Sequence, residues 1–263
     1  PDLPMERRCN ITTMKRTEMN EETRPNKPMT FSSAGESQRG FAGTRGLSTL
    51  LLAFDADDPL WDNQTYFDQV EHDYCELLKP YGTAEEVSGA LFQIESANMP
   101  LLGYGCKAFT LSLVENAVKY TKGQISSNDI LKIVELGKSL LSHQTDPLPE
   151  VRETLLAIRR KKQYKMVVFT KGELLDQQNK LIRSGLSELF DDIVVVSDKT
   201  RQEYLKLCAM FDTDITHLVM VGNSFKSDIE PVLQLGGSAV HIPFYTTWKH
   251  EEAEEYEHYR LRR

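Results

Sequence analysis

A doubly wound, parallel α/β sheet is the fold this sequence predicts, and three observations predict it. Leu50, Leu51, Leu52, Ala53 and Phe54 form a short unbroken apolar run, the mark of a strand buried on both faces. From Pro149 onwards, similar runs alternate with stretches of helical periodicity, which is the order of right-handed βαβ units. Each run ends abruptly in polar residues, and in open α/β sheets ligands bind beyond the carboxyl ends of the strands.

The elements follow in order. Residues 1–47 mix Pro, Thr, Asn, Met, Arg and Glu without period and are expected to form a disordered leader. The first strand stops at Asp55-Ala56-Asp57-Asp58, where Asp55 and Asp57 put their carboxylates on the same side of an extended chain. Carboxylates so close repel unless a cation or a shared proton intervenes, so a bound metal is expected; the competing reading is an acidic loop that caps a helix at Asp62. Between residues 63 and 145, apolar residues recur at helical spacing in four stripes, such as Phe67-Val70-Tyr74 and Phe109-Leu113-Ala117, which predicts a helical insert. Thr83 with Glu86 reads as a capping box. The connector Asn98–Gly105 is expected as a shaped loop, with Gly103 and Gly105 framing Tyr104 either toward a ligand or as a packed turn.

Residues 146–250 return to the sheet. A helix through Val151 and Leu155 leads to a strand at 165–169 that ends in Thr170-Lys171-Gly172, and a helix carrying Leu174, Leu175, Leu181 and Ile182 follows. The strand at 193–196 ends near Lys199, the strand at 217–221 ends in the loop Gly222–Asp228, and a last strand spans 238–242. Residues 251–263 form an acidic tail in which the run Glu251–Glu255 is expected as a solvated helix face. Four strand ends thus carry Asp55 with Asp57, Thr170, Lys199, and Asn223 with Asp228. Together they supply a nucleophile, a proton donor, cations and hydrogen-bond donors, the kit of a phosphate-transfer site.

Composition narrows the partners. A net charge of −8 argues against nucleic acid and anionic membranes, and no apolar run approaches the roughly 20 residues that span a bilayer. Cys9, Cys75, Cys106 and Cys208 form no CxxC pair, which predicts reduced thiols in a cytoplasmic setting, with neither zinc site nor disulfide framework.

In this order and phase the strand tips resemble the motifs of the haloacid dehalogenase (HAD) superfamily over residues 49–245. Phe54-Asp55-Ala56-Asp57-Asp58-Pro59-Leu60-Trp61 is similar to the first motif, hydrophobic-Asp-x-Asp-x-Thr-Leu, and Phe169-Thr170-Lys171-Gly172 to the second. Lys199 resembles the third, and Val221-Gly222-Asn223-Ser224 through Asp228 the acidic fourth. The wording around Trp61-Asp62-Asn63 and His241–Trp248 resembles the bacterial hydrolase branch.

The resemblance implies a HAD-like Rossmannoid core at 48–62 and 146–250, with a C1 cap at 63–145 and no room for a C2 cap. It implies Mg²⁺-dependent hydrolysis of a small phosphorylated metabolite. Asp55 would be the nucleophile and Asp57 the general acid and base; Thr170, Lys171 and Lys199 would bind the substrate's phosphoryl group. Asp55, the Asp57 carbonyl, Asn223 and Asp228 would hold Mg²⁺. Cap residues such as Trp61, Tyr104 and Lys107 would choose the substrate. Because a halide leaving group needs no proton, Asp57 favours a phosphatase over a 2-haloacid dehalogenase; a phosphomutase is a further alternative. Two residues depart from the pattern. Pro59 stands where the family usually has Thr, removing an N–H and a hydroxyl and biasing Asp58 toward an extended conformation, which gives the alternative of a weakened catalyst that still binds a phosphorylated ligand. Asn223 occupies a position that is often Asp, leaving Asp228 as the main carboxylate of the fourth motif.

Overall fold

The computed structural model describes residues 50–244, so the leader at 1–47, the acidic tail and the second half of the His241–Trp248 motif lie outside the described residues. Five parallel strands form one sheet in the order β3-β2-β1-β4-β5: β1 (Leu50–Phe54), β2 (Tyr164–Lys171), β3 (Asp192–Val196), β4 (Leu218–Gly222) and β5 (Ser238–His241). The alternation expected of a strand covered on both faces is realised in β1. Leu51 and Ala53 pack with Tyr204 and Leu207 of α7 (Arg201–Met210) and Val232 of α8 (Glu230–Gln234). Phe54 and the partly buried Leu52 join the opposite layer with Leu155 of α5 (Val151–Arg160) and Leu181 of α6 (Leu174–Arg183).

The chain leaves β1 to build β2 and β3 on one side, then returns to place β4 and β5 on the other. This reversal opens a crevice between the carboxyl ends of β1 and β4, the place where open α/β sheets bind ligands. Asp55 stands at that point, its N–H donating to the Val221 carbonyl at 2.8 Å.

Four helices are inserted between β1 and β2: α1 (Gln64–Leu78), α2 (Ala84–Leu102), α3 (Cys106–Tyr120) and α4 (Ser127–Ser139). They enclose an apolar cluster of their own, including Tyr74, Leu91, Leu113 and Ile133. Inside it Tyr74 donates to the Leu113 carbonyl at 3.1 Å and accepts from Asn116 at 2.8 Å, so the buried hydroxyl is satisfied. Gly137 lets α4 approach α3 closely, since a Cβ there would fall 2.0 Å from the Thr110 hydroxyl. The Thr83–Glu86 capping box forms as the sequence predicts. The connector does not: α2 runs through Pro100 to Leu102, leaving only Gly103–Gly105 as a turn before α3. Both glycines have positive φ, 70° and 118°, a region open to residues without a Cβ. The two crossings between insert and sheet lie side by side, the Leu148 N–H donating to the Leu60 carbonyl at 2.8 Å and Trp61 bridging Pro147.

Candidate active site

Asp55, Asp57, Thr170, Lys171, Lys199, Asn223 and Asp228 all line one cavity of about 160 Å³ between the strand ends and the insert. The four strand tips therefore converge. A space of that size can hold a small molecule or group.

On the β4 side, the Lys199 ammonium lies 2.6 Å from an Asp55 oxygen and 2.6 Å from an Asp228 oxygen. Lys199 and Asp228 are almost wholly buried. The second Asp228 oxygen accepts the Ser224 N–H at 3.0 Å, and Gly222 makes room for it, since a Cβ there would meet that oxygen at 2.2 Å. One ammonium thus serves two carboxylates. Burial first, then Asp228 and Asp57, push the Asp55 carboxyl up to about 7 although Lys199 pulls it down. Burial opposes the Lys199 charge, but Asp228 and Asp55 outweigh it and hold its pKa above the ordinary lysine value.

Across the crevice, Asp57 meets a different set. Lys180 of α6 donates to both of its oxygens at 3.1 Å, Gln177 to Oδ2 at 2.8 Å and the Trp61 indole to Oδ1 at 2.8 Å. Burial alone would raise Asp57, but the Lys180 charge and these hydrogen bonds outweigh it and hold the carboxyl below its usual range. Lys180 is itself 1 % exposed, and it also donates to Asn63 Oδ1 at 2.8 Å and pairs with Asp176 at 3.6 Å.

The turn that carries these carboxylates corrects the expectation for Asp58, the residue before Pro59. Asp58 is not extended but has φ 76°, a region Asp tolerates better than most side chains. The turn uses the N–H of Asp58, to Trp61 O at 2.8 Å, and that of Leu60, to Ala56 O at 3.0 Å. Neither bond involves residue 59, so the turn closes with proline in place. Asp58 Oδ1 accepts the N–H groups of Asn63 and Gln64 at 3.0 and 2.9 Å, and Asp62 accepts that of Thr65 at 3.2 Å. The acidic loop is therefore both things at once: Asp55 and Asp57 face the cavity, while Asp58 and Asp62 cap α1.

Thr170 and Lys171 are the last two residues of β2, paired with Val195 and Val196, and Thr170 is buried. The Lys171 ammonium bonds the Ser227 hydroxyl at 3.0 Å and lies 4.2 Å from the centre of the Tyr104 ring, so the turn before α3 does face the site. Of the other residues considered for substrate choice, Trp61 is fully buried beneath Asp57, and Lys107 is exposed and paired with Glu173.

Sequence reasoning missed Lys180, Gln177 and Asp176. Of the apolar residues that mark α6 in the sequence only Leu181 points inward; Leu175 is 63 % and Ile182 57 % exposed, and Asp176, Gln177 and Lys180 join Leu181 in the buried stripe. The available signal was a polar face at helical spacing on a helix that must cover a sheet.

The oxygens around Asp55 suit a hard divalent cation. Asp55 and Asp228 carry one charge more than Lys199 neutralises, and Asn223 and the Asp57 carbonyl are neutral oxygen donors. Among the described residues no three carboxylate, imidazole or thiolate side chains gather at one point, so the protein's share would be two carboxylates and neutral oxygens. That share fits Mg²⁺, which keeps waters and substrate oxygens in its shell.

The sequence profile of the haloacid dehalogenase-like hydrolases matches residues 49–236. A haloacid dehalogenase-like family hydrolase from Xanthomonas campestris is 38 % identical, with a TM-score of 0.71 over 79 % of this chain and 87 % of that one. The HAD-hydrolase YfnB from Bacillus subtilis, solved bound to magnesium, shares the fold at 15 % identity and a TM-score of 0.55, over 74 % of this chain and 89 % of that one. A 2-haloacid dehalogenase from Pseudomonas syringae does so at 21 % and 0.53, over 79 % and 91 %. No curated protein matches the chain. Residues 49–236 span most of this molecule and contain every side chain that meets in the crevice, and the chain belongs to the haloacid dehalogenase-like hydrolase family.

Proposed function

We propose that this protein is a Mg²⁺-dependent phosphatase that hydrolyses small phosphomonoesters through an aspartyl-phosphate. The observation that carries this reading is Asp57. It lines the same cavity as Asp55 but is bonded into a separate set of donors, as a group that moves a proton beside a nucleophile should be. A halide departs without a proton, so a dehalogenase has no use for it.

An Asp55 oxygen attacks phosphorus, the bond from phosphorus to the ester oxygen breaks, and the leaving alcohol takes a proton from Asp57. The phosphate charge arriving beside Asp57 raises its pKa from the low starting point and readies it as an acid. In the second step water attacks phosphorus, Asp57 takes the proton, and the bond to Asp55 breaks. Thr170 and Lys199 hold phosphoryl oxygens, with Lys171 at the edge of the site. Asp55, Asp228, Asn223 and the Asp57 carbonyl would hold Mg²⁺. When bound, the ion draws phosphate and carboxylate together against their repulsion. The four-helix insert acts as a cap over residues 63–145 that keeps bulk water from the chemistry. The buried free thiols of Cys75, Cys106 and Cys208 fit a reducing compartment such as the cytoplasm.

Phosphate release from small phosphomonoesters, with and without Mg²⁺, tests the proposal. Mg²⁺-dependent release that vanishes in the Asp55→Asn variant is the expected result. A folded protein inert toward every ester, p-nitrophenyl phosphate included, would overturn it, and halide release from a 2-haloacid would replace it with the dehalogenase reading.

A further inference from the structure

Lys180 takes no part in either step of the proposed reaction, yet it is a buried cation bonded to more than the acid beside it. Its ammonium donates to both Asp57 oxygens at 3.1 Å and to Asn63 Oδ1 at 2.8 Å, and it lies 3.6 Å from an Asp176 oxygen. Asn63 is the residue on which the chain enters the insert, directly before α1, and its side chain makes no capping bond there; Asp58 supplies the cap. The same Asp176 oxygen accepts the thiol of Cys106, the first residue of α3, at 3.4 Å. On the return crossing, Thr145 donates to the Lys180 carbonyl at 3.1 Å. One residue of α6 thus meets the acid, both crossings of the insert and, through Asp176, the start of α3.

The three donors to Asp57 differ in what they fix. Trp61 bonds one oxygen and Gln177 the other, whereas Lys180 spans both. A carboxylate held at both oxygens keeps a single orientation, and proton transfer in a transition state demands one. A lysine that served only to neutralise Asp57 and Asp176 would need neither this fork nor the bond to Asn63, and its loss would slow every ester alike.

We propose that Lys180 is a positioning residue for leaving-group protonation, and that it makes the aim of Asp57 depend on the insert being seated at Asn63 and Cys106. This rests on the phosphatase reading and deepens it. As the bond from phosphorus to the ester oxygen breaks, that oxygen keeps the electron pair and takes the Asp57 proton; Lys180 gives up none of its own.

The need for that proton depends on the alcohol. p-Nitrophenolate departs as a stabilised anion, phenolate less readily, and the two esters have nearly the same shape. The test is kcat/KM for phenyl phosphate and p-nitrophenyl phosphate in Mg²⁺, a ratio that covers the steps through release of the alcohol and omits the later attack of water. In Lys180→Met the value for phenyl phosphate should fall at least about tenfold more than that for p-nitrophenyl phosphate. Asn63→Ala, which removes no capping bond, should show the same selectivity at about threefold, and it decides alone if Lys180→Met does not fold. Equal falls for the two esters in the variants overturn the positioning role and leave the phosphatase standing. A selective fall in Lys180→Met with none in Asn63→Ala overturns the dependence on the insert. A parent that turns over p-nitrophenyl phosphate alone protonates no leaving group, which overturns the positioning role by itself. A parent inert toward both esters overturns the phosphatase and the positioning role together.

Discussion

The crevice has two halves, and a single loop feeds both. On the β4 side Asp55 and Asp228 share Lys199; on the α6 side Asp57 has Lys180, Gln177 and Trp61 largely to itself, with Asp176 farther from the ammonium. Burial is common to the two halves, so it cannot explain why the Asp55 carboxyl is pushed up while that of Asp57 is held down. The balance of donors does. One half is short of positive charge and suits a cation; the other is already satisfied and suits a carboxylate that must gain and lose a proton. Two residues of one type, two positions apart, acquire different chemistry from their surroundings.

The largest effect on this comparison should come from Lys199→Met, which leaves Asp55 and Asp228 buried side by side. Measured in chelator, stability should fall by about 3–5 kcal/mol, as when one partner of a buried pair is removed. Phosphate release in Mg²⁺ should fall by about a thousandfold. Denaturant unfolding indistinguishable from the parent would show that the ammonium does not hold this half together. Lys180→Met should act in the other proportion. Because Gln177 and Trp61 still bond Asp57, stability should drop by only about 2 kcal/mol. Turnover should nevertheless fall by about a hundredfold, since Asp57, the proton carrier of the proposed reaction, loses its orientation and its cation. Equal stability losses in the two variants would erase the distinction between the halves. The smallest effect belongs to Pro59→Thr. The turn's two bonds close without residue 59, so turnover should hardly change, and the gain in unfolded-chain freedom should cost about 0.4–1 kcal/mol, seen as a slightly lower Tm. A large rise in turnover would instead mark Pro59 as the residue that disables the chain.

Much of this was legible beforehand, for local reasons. A strand covered on both faces must be apolar throughout, and it must end where polar residues begin, so Leu50–Phe54 followed by Asp55 marks an element and a site together. Capping is equally local: Thr83 and Glu86 are three residues apart, and their box formed. The misreadings also have physical causes. Helix α2 passes through Pro100, extending the helix into residues read as a loop. Asp58 adopts a positive φ because the turn and its two capping bonds outweigh the bias imposed by the proline that follows. Helix α6 turns Leu175 and Ile182 to solvent because its polar stripe has partners inside, and an apolar pattern carries no trace of partners that other segments supply.

By itself, then, the sequence determined the fold class, the order of the strands' polar tips and the insertion of helices between the first tip and the second, because periodicity and termination are properties of neighbouring residues. Only the tertiary structure decided which cation meets which carboxylate. Lys180 reaches Asp57 across 123 residues of chain, and Lys199 reaches Asp228 across 29. Those distances are closed by strand order and helix packing. The charge of each half of the crevice is the sum of groups brought together that way, so it exists only in the folded molecule.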